Sequence, residues 1–275
     1  MYRLVVTDID GTLLDSSSHL RPRVRKALDR ARERGVRVII ATGRRLRATL
    51  HIAREAGIGG PLILNNGALV YDPDTGETLD HRPIPVPTAR RAIQLIQAHG
   101  LGATLYHHVP EGPDITYEIE GNDPLFREML DRNQGSIQRV PDLSEFCAQP
   151  PDKILAFGPE GKIRAICADL TAHLPDAQNL LALDGTGIWF AEVFSRMASK
   201  ATGIQVVARR LGIKPSEVIA LGDGFNDLEM IEYAGLGVAM GNAVPELKAI
   251  ADLVTATNDE DGVAQVLEEY VLTVA

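Results

Sequence analysis

The sequence predicts an α/β fold, a parallel-sheet core into which a second, smaller domain is inserted. Three observations carry that expectation. Short, almost wholly apolar runs alternate with helical periods in the N-terminal third of the chain; the rhythm breaks between about Arg82 and Gly187; and it resumes after Trp189. Near-continuous apolar strands suit a sheet covered by helices on both faces, and a foreign pattern flanked by two matching ones reads as an insertion. At 275 residues and 45% hydrophobic content the chain has material for two modest cores.

The first run, Leu4-Val5-Val6, stops at a polar turn. A helix is expected from about Arg21 to Arg34, because Leu20, Val24, Ala27, Leu28 and Ala31 repeat with a helical period and Gly35 stands where a C-terminal glycine belongs. Val36 to Ile40 reads as the second strand, Arg44 to Ala56 as the second helix, and Leu62-Ile63-Leu64 as the third strand. Pro83, Pro85 and Pro87 then open the different region. Its strand candidates, Ala103 to His107, Ile115 to Ile119 and Lys153 to Phe157, alternate apolar with polar residues, as half-buried and partly antiparallel strands do. After Trp189 the buried runs return at Val218–Leu221, Gly237–Met240 and Asp252–Val254. The expected domains are therefore 1–82 with 188–275 as the core and 83–187 as the insertion.

A formal charge of −9 argues against nucleic acid as the main partner, since that polymer is held by neutralising its phosphates with Lys and Arg. The arginines between Arg21 and Arg47 are interleaved with Asp29 and Glu33 and read as a solvated helix face. No apolar run approaches the roughly 20 residues of a membrane helix, and Met1 leads into a strand-like segment rather than a signal peptide, so the cytoplasm is the expected compartment. Cys147 and Cys167 lack the spacing of a zinc or redox motif. His107 and His108, adjacent on a strand, face opposite ways and cannot both serve one site. Trp189 and Phe190 are expected to pack the junction between domains.

The chemistry gathers where strands end. The runs stop at Thr7-Asp8-Ile9-Asp10-Gly11-Thr12, Ala41-Thr42-Gly43-Arg44, Asn65-Asn66-Gly67 and Gly222-Asp223-Gly224-Phe225-Asn226-Asp227. In an open parallel sheet ligands bind beyond the carboxyl ends of the strands. Any one of these ends could be a capped turn; four together deliver carboxylates, a hydroxyl, amides and glycines to one crevice. Asp8 and Asp10, joined by Asp223, offer oxygen ligands to a hard divalent ion, and magnesium suits few carboxylates completed by water and a substrate phosphate. Lys200 is a candidate for a second positive charge. Gly222 and Gly224 lack the third glycine of a dinucleotide loop, and Asp223 would face a pyrophosphate.

In this order and spacing, Asp8-Ile9-Asp10-Gly11-Thr12-Leu13, Thr42-Gly43-Arg44, Lys200 and the Gly222–Asp227 stretch resemble the four motifs of the haloacid dehalogenase superfamily. Asn65-Asn66-Gly67-Ala68, Met240-Gly241-Asn242-Ala243 and Asn258–Ala264 resemble more narrowly its Cof-type phosphatases, which carry a large C2-type α/β cap between the second and third motifs. The resemblance implies a Rossmann-like core and a Mg2+-dependent phosphatase acting on a small phosphate ester such as a sugar phosphate, as a monomer or small homo-oligomer. By the same resemblance Asp8 matches the nucleophile that becomes an aspartyl phosphate, and Asp10 the acid that protonates the leaving oxygen and then helps activate water, which splits one hard displacement into two. Ile9, Thr42, Gly43, Lys200 and Asn226 match phosphate-binding positions. Asp8, the Asp10 backbone carbonyl and Asp223 match the metal ligands, with Asp227 orienting them from behind. Asp10 favours phosphoryl chemistry, because a halide leaving group needs no proton. Ala201 departs from the glycine that often follows the lysine. A phosphomutase would use the same Asp8 and Asp10, and a phospho-ligand sensor would have lost one of them.

Overall fold

The computed structural model describes residues 1–109, 112–118, 131, 133–183 and 189–273; Ile119, Gly187 and the 187/188 boundary lie outside them. The chain divides into two compact units, Met1–His81 with Ser199–Ala275, and Arg82–Ala198. In chain order the first unit opens with β1 (Leu4–Thr7), α1 (Pro22–Glu33), β2 (Arg37–Ile40), α2 (Leu46–Glu55), β3 (Leu62–Leu64), β4 (Leu69–Asp72) and β5 (Glu77–His81). The second unit holds α3 (Val86–Ala98), β6 (Ala103–Tyr106), β7 (Ile115–Tyr117), β8 (Ile137–Arg139), α4 (Leu143–Phe146), β9 (Lys153–Gly158), α5 (Glu160–His173), β10 (Ala177–Leu183) and β11 (Trp189–Ser195). The first unit is completed by α6 (Lys200–Leu211), β12 (Val218–Gly222), α7 (Leu228–Tyr233), β13 (Leu236–Ala239), α8 (Pro245–Ile250), β14 (Leu253–Val254) and α9 (Gly262–Leu267).

Five strands of the first unit form a parallel sheet in the order β14-β13-β12-β1-β2. β1 and β12 are wholly buried, which explains why their sequences run apolar without alternation. α1 begins with Pro22 in its first turn, where a missing N–H costs nothing. It buries Val24, Ala27, Leu28 and Ala31, the stripe expected from the period. Four arginines in or just before it form ion pairs at the surface: Arg21 with Asp261, Arg23 with Glu268, and Arg25 and Arg32 with Asp29. Among the described residues no helix is long and apolar enough to cross a membrane.

β3 differs from its expected place as a further parallel strand. It meets β2 only through a parallel bridge between Ala41 and Ile63, and otherwise pairs antiparallel with β4, which pairs with β5. The reversal is made at Asn65, Asn66 and Gly67, whose φ angles are 49°, 55° and 88°. Three successive residues in the left-handed region turn the strand back on itself.

The second unit is a six-stranded sheet in the order β10-β11-β9-β6-β7-β8, antiparallel except for β7 beside β8. Ile93, Ile96, Ile163, Ile166 and Leu170 of α3 and α5 pack with Leu105, Ile154, Ala156 and Val193 of the strands into a core of its own. The return to the first unit lies after Ala198 rather than at 187/188. Trp189–Ser195 pairs with β9 and β10 along its whole length, so those apolar residues belong to the inserted sheet. Trp189 accordingly packs against that core beneath the Arg164 guanidinium, 5.1 Å from its ring centre, and Phe190 lies beside Phe157 with the ring centres 6.2 Å apart.

Candidate active site

The sheet order turns at its centre: β1 leads outward to β2 on one side and has β12 on the other, the position at which α/β sheets open a crevice. β1 and β12 run in register from Leu4 opposite Val218 to Thr7 opposite Leu221. Asp8 and Asp223 therefore leave adjacent strands at nearly the same level. The Asp8 amide still donates to the Leu221 carbonyl (3.0 Å), so the first carboxylate is held by the sheet itself.

After Asp8 the backbone makes a wide turn, Ile9–Leu13, closed by Leu14 N–H donating to the Ile9 carbonyl at 3.0 Å. Asp10 inside it is extended (φ −73°, ψ 128°) and Gly11 has φ +69°. Gly11 is required twice over. A Cβ there would fall 2.2 Å from Asp223 Oδ2, and a side chain disfavours that φ. Thr12 Oγ1 donates to Asp223 Oδ1 (3.0 Å), tying the turn to the neighbouring strand end.

Lys200 arrives on the first turn of α6. That helix is started by a capping box in which the Ser199 side chain accepts from Thr202 N–H (3.2 Å) and Thr202 Oγ1 accepts from Ser199 N–H (3.0 Å). The Lys200 ammonium is 0% exposed and lies 2.9 Å from Asp8 Oδ1 and 2.6 Å from Asp227 Oδ1. Asp227 uses its other oxygen, Oδ2, to accept the backbone N–H groups of Asp223 and Gly224, both at 2.9 Å. Every lone-pair direction of Asp227 that these bonds use serves to hold Lys200 and the Asp223 loop.

Asp8, Asp223 and Asp227 each present an oxygen within 4.8 Å of the others. Three carboxylates against one ammonium leave excess negative charge in a buried place. Burial pushes the Asp8 carboxyl up to about 8; Lys200 pulls it back, while Asp227, Asp223 and Asp10 add to the rise. Asp223 is pushed up to about 6, by burial first and then by Asp227, with the Thr12 hydrogen bond and Lys200 opposing. Burial works against the Lys200 charge, yet Asp227 and Asp8 together hold its pKa above the usual lysine value. This imbalance, with donors that are all oxygen, fits a hard divalent cation. Asp8 and Asp223 each keep an oxygen outside the bonds described, whereas both oxygens of Asp227 are engaged.

A second group forms beside the first. The Thr42 hydroxyl accepts from Arg44 N–H (3.2 Å), and the Thr42 carbonyl accepts from Asn66 N–H (3.0 Å). Asn66 Oδ1 accepts from Asn226 Nδ2 at 2.9 Å and lies 3.1 Å from where a Cβ on Gly43 would be. The Gly67 turn is pressed so closely on α6 that a Cβ there would sit 2.0 Å from the Ser199 carbonyl oxygen.

The structure thus brings Asp8, Asp223, Asp227 and Lys200 into one cluster, and Thr42, Gly43 and Asn226 around Asn66. The Asp10 carboxylate stands outside the cluster. It is 59% exposed and takes two hydrogen bonds from Arg44, Nε to Oδ2 at 2.8 Å and Nη2 to Oδ1 at 2.5 Å. Sequence reasoning missed Arg44 as the partner of Asp10, Thr12 as the partner of Asp223, and Asn66 as the link between two strand ends. All three stand inside stretches already singled out, but a pairing between strand ends 34, 211 or 160 residues apart leaves no local signal.

A family model described as haloacid dehalogenase-like hydrolase matches residues 5–267. The 5-amino-6-(5-phospho-D-ribitylamino)uracil phosphatase YitU of Bacillus subtilis is 29% identical over 97% of each chain. Among solved structures, a haloacid dehalogenase-like hydrolase from Bacteroides thetaiotaomicron superposes with a TM-score of 0.83 at 31% identity, over 98% of this chain and 99% of that one. A sugar phosphatase of subclass IIB superposes with a TM-score of 0.80 at 25% identity, over 98% of each.

Proposed function

The chain belongs to the haloacid dehalogenase-like hydrolases, and on that premise we propose that it acts on phosphate esters, as a magnesium-dependent phosphatase of a small phosphorylated metabolite, a sugar phosphate or similar monoester, working through a covalent phosphate on Asp8. The observation that carries this reading is the Asp8 carboxylate held 2.9 Å from a fully buried Lys200 at the mouth of a parallel sheet. A carboxylate so placed is fixed in direction and relieved of part of its charge, as a nucleophile toward a phosphate dianion must be.

Asp8 attacks phosphorus, the phosphorus–oxygen bond to the leaving group breaks, and Asp10 gives that oxygen its proton. Water then attacks the phosphorus of the aspartyl phosphate. Asp10 takes the proton back, and free phosphate leaves as the Asp8 carboxylate is restored. Asp10, exposed and bonded to Arg44, has room to turn between that partner and the leaving oxygen. Ile9, Thr42, Gly43 and Asn226 surround the phosphate oxygens, and Lys200 offsets their charge. Asp8, Asp223 and the Asp10 backbone carbonyl would hold Mg2+, which supplies charge neutralisation between nucleophile and phosphate. YitU, named for a phosphorylated ribityl compound, and the sugar phosphatase among the structural relatives support a polyhydroxylated substrate.

The test is phosphate release from a panel of sugar, polyol and nucleoside monophosphates, with chelator-treated protein and with Mg2+ restored. The reading predicts release that depends on Mg2+ and on at least one small ester. Full activity of metal-free protein, or conversion of a sugar monophosphate to its isomer without free phosphate, would overturn it.

A further inference from the structure

Two stretches of the sequence have no part in the scheme above: Gly241-Asn242-Ala243 after β13 and Asn258–Asp261 after β14. Both stand at the carboxyl end of the same sheet, one after β13, which neighbours the strand that carries Asp223, and one after the edge strand β14. Their side chains turn toward the wide turn behind Asp8. Asn242 Nδ2 donates to the Gly11 carbonyl at 2.8 Å. Asn242 Oδ1 accepts the backbone N–H of Asn258 at 3.0 Å. Asn258 in turn extends Nδ2 to the Leu14 carbonyl at 2.9 Å, and its side chain is buried. One residue further, Asp259 Oδ1 accepts from Ser16 N–H at 2.8 Å.

The four bonds form a continuous bracket. It runs from the Gly11 carbonyl through Asn242 and Asn258 to the Leu14 carbonyl, and through Asp259 to Ser16. The amide of Asn242 has one orientation that satisfies both contacts: with its oxygen taken by the Asn258 N–H, its NH2 must face Gly11. Asp10 lies between two fixed points, Asp8 on the sheet and Gly11 in the bracket. Its own side chain is exposed and, among the described residues, bonded to Arg44. Where the Asp10 carboxyl can reach is therefore set by the carbonyl of the residue after it.

We propose that Asn242 and Asn258 are positioning residues that place the Asp10 carboxyl for proton transfer to the leaving oxygen, by fixing the Gly11 and Leu14 carbonyls of the turn that carries it. The proposal rests on the reading of Asp10 as proton donor. It also accounts for why these two strand-end segments carry asparagine side chains bonded to the backbone of that turn. Proton transfer is sensitive to placement: an error of about 1 Å costs on the order of 100-fold.

The experiment compares the first chemical step, read as leaving-group release in single turnover with Mg2+ present, on an aryl phosphate whose leaving group needs no proton and an alkyl phosphate whose leaving group does. Asn242→Ala removes the exposed end of the bracket, and Asn242→Asp keeps an oxygen for the Asn258 N–H while losing the donor to Gly11. Both variants are expected to lose about 10- to 100-fold on the alkyl ester and far less on the aryl ester. KM and melting temperature should stay close to wild type. Asp10→Asn, run in parallel, should show the same selectivity, and Asn242→Ala added to it should cost nothing more on either ester. If Asp10→Asn is selective and the Asn242 variants slow both esters equally, or change only KM or stability, the positioning role is overturned and the reading of Asp10 stands. If Asp10→Asn itself is not selective, the proton-donor reading fails and the inference fails with it. Should Asn242→Ala not fold, Asn242→Asp alone decides between these outcomes.

Discussion

Asp8 and Asp10 stand two residues apart and live under opposite conditions. Asp8 is buried among charges, and Asp10 is exposed and paired with Arg44. Asp8→Asn should abolish turnover while leaving the fold intact, because the amide matches the shape and cannot attack phosphorus; circular dichroism and phosphate release measure the two halves. The raised Asp8 and Asp223 carboxyls also set a pH dependence. A carboxyl whose folded-state pKa lies above its ordinary value of 3.8 contributes stability that is full below that value and is lost as pH rises through the folded value, about 6 for Asp223 and about 8 for Asp8. The metal-free protein should accordingly lose thermal stability between pH 5 and pH 8. Mg2+, held by the ionised forms in the proposed mechanism, should raise the melting temperature more at pH 8 than at pH 5.5; an equal rise at both pH values would count against a cation held by these two carboxylates. Lys200 is the counterpart. Removing it as Lys200→Ala leaves Asp8 and Asp227 buried without their cation, a change worth about 3–5 kcal/mol, to be read as a lower urea midpoint in metal-free protein.

The turns that join strands to helices are where local sequence gave the clearest signals and also where it misled. Gly35 after α1, the Thr42-Gly43-Arg44 turn and the Asp223 loop were all legible, because each needs particular residue types at a strand or helix end. Asn65-Asn66-Gly67 was legible as a strand end, but not as a reversal. The residues after it, Leu69-Val70-Tyr71-Asp72 and Glu77–His81, carry too little alternation to announce a hairpin, and only three consecutive left-handed residues reveal one. Those same angles make Gly67 costly to replace. Gly67→Ala should destabilise the protein by more than the ~1 kcal/mol typical of a glycine position, since its Cβ would also meet the Ser199 carbonyl that begins α6. Because Ser199 precedes Lys200, the variant should lose activity beyond its loss of stability; chemical denaturation and kcat at a temperature where the variant stays folded separate the two. β11 misled in the other direction. Trp189-Phe190-Ala191-Glu192-Val193-Phe194 reads as a return to apolar core, but Glu192 is accommodated by a Lys153 ion pair at 2.7 Å from the neighbouring strand, a partner 39 residues away that no local pattern announces.

At the scale of the molecule, the interrupted α/β rhythm was legible because the parallel sheet is buried on both faces and its strands cannot be polar. The inserted unit was legible mainly as a loss of that rhythm, since its half-buried antiparallel strands tolerate many sequences. The same asymmetry supports a division of labour. Among the described residues, the groups gathered around Asp8 and Asn66 come from Met1–His81 and Ser199–Ala275. The chain leaves the first unit directly after β5 and re-enters it one residue before Lys200. We propose that the inserted unit selects the ester. Phosphate and cation are common to all substrates and can be handled by the first unit; what distinguishes one ester from another lies beyond the phosphate. Replacing Arg82–Ala198 by the corresponding segment of a relative with a different preference should therefore reorder kcat/KM among phosphate esters and leave the Mg2+ dependence unchanged. The second half of that expectation guards the first, because a chimaera with altered Mg2+ dependence has a damaged core and says nothing of selection until one with normal dependence is compared. If such a folded chimaera keeps the original order of esters, selection belongs instead to the first unit's own loops after Asp10, Asn66 and Asn226.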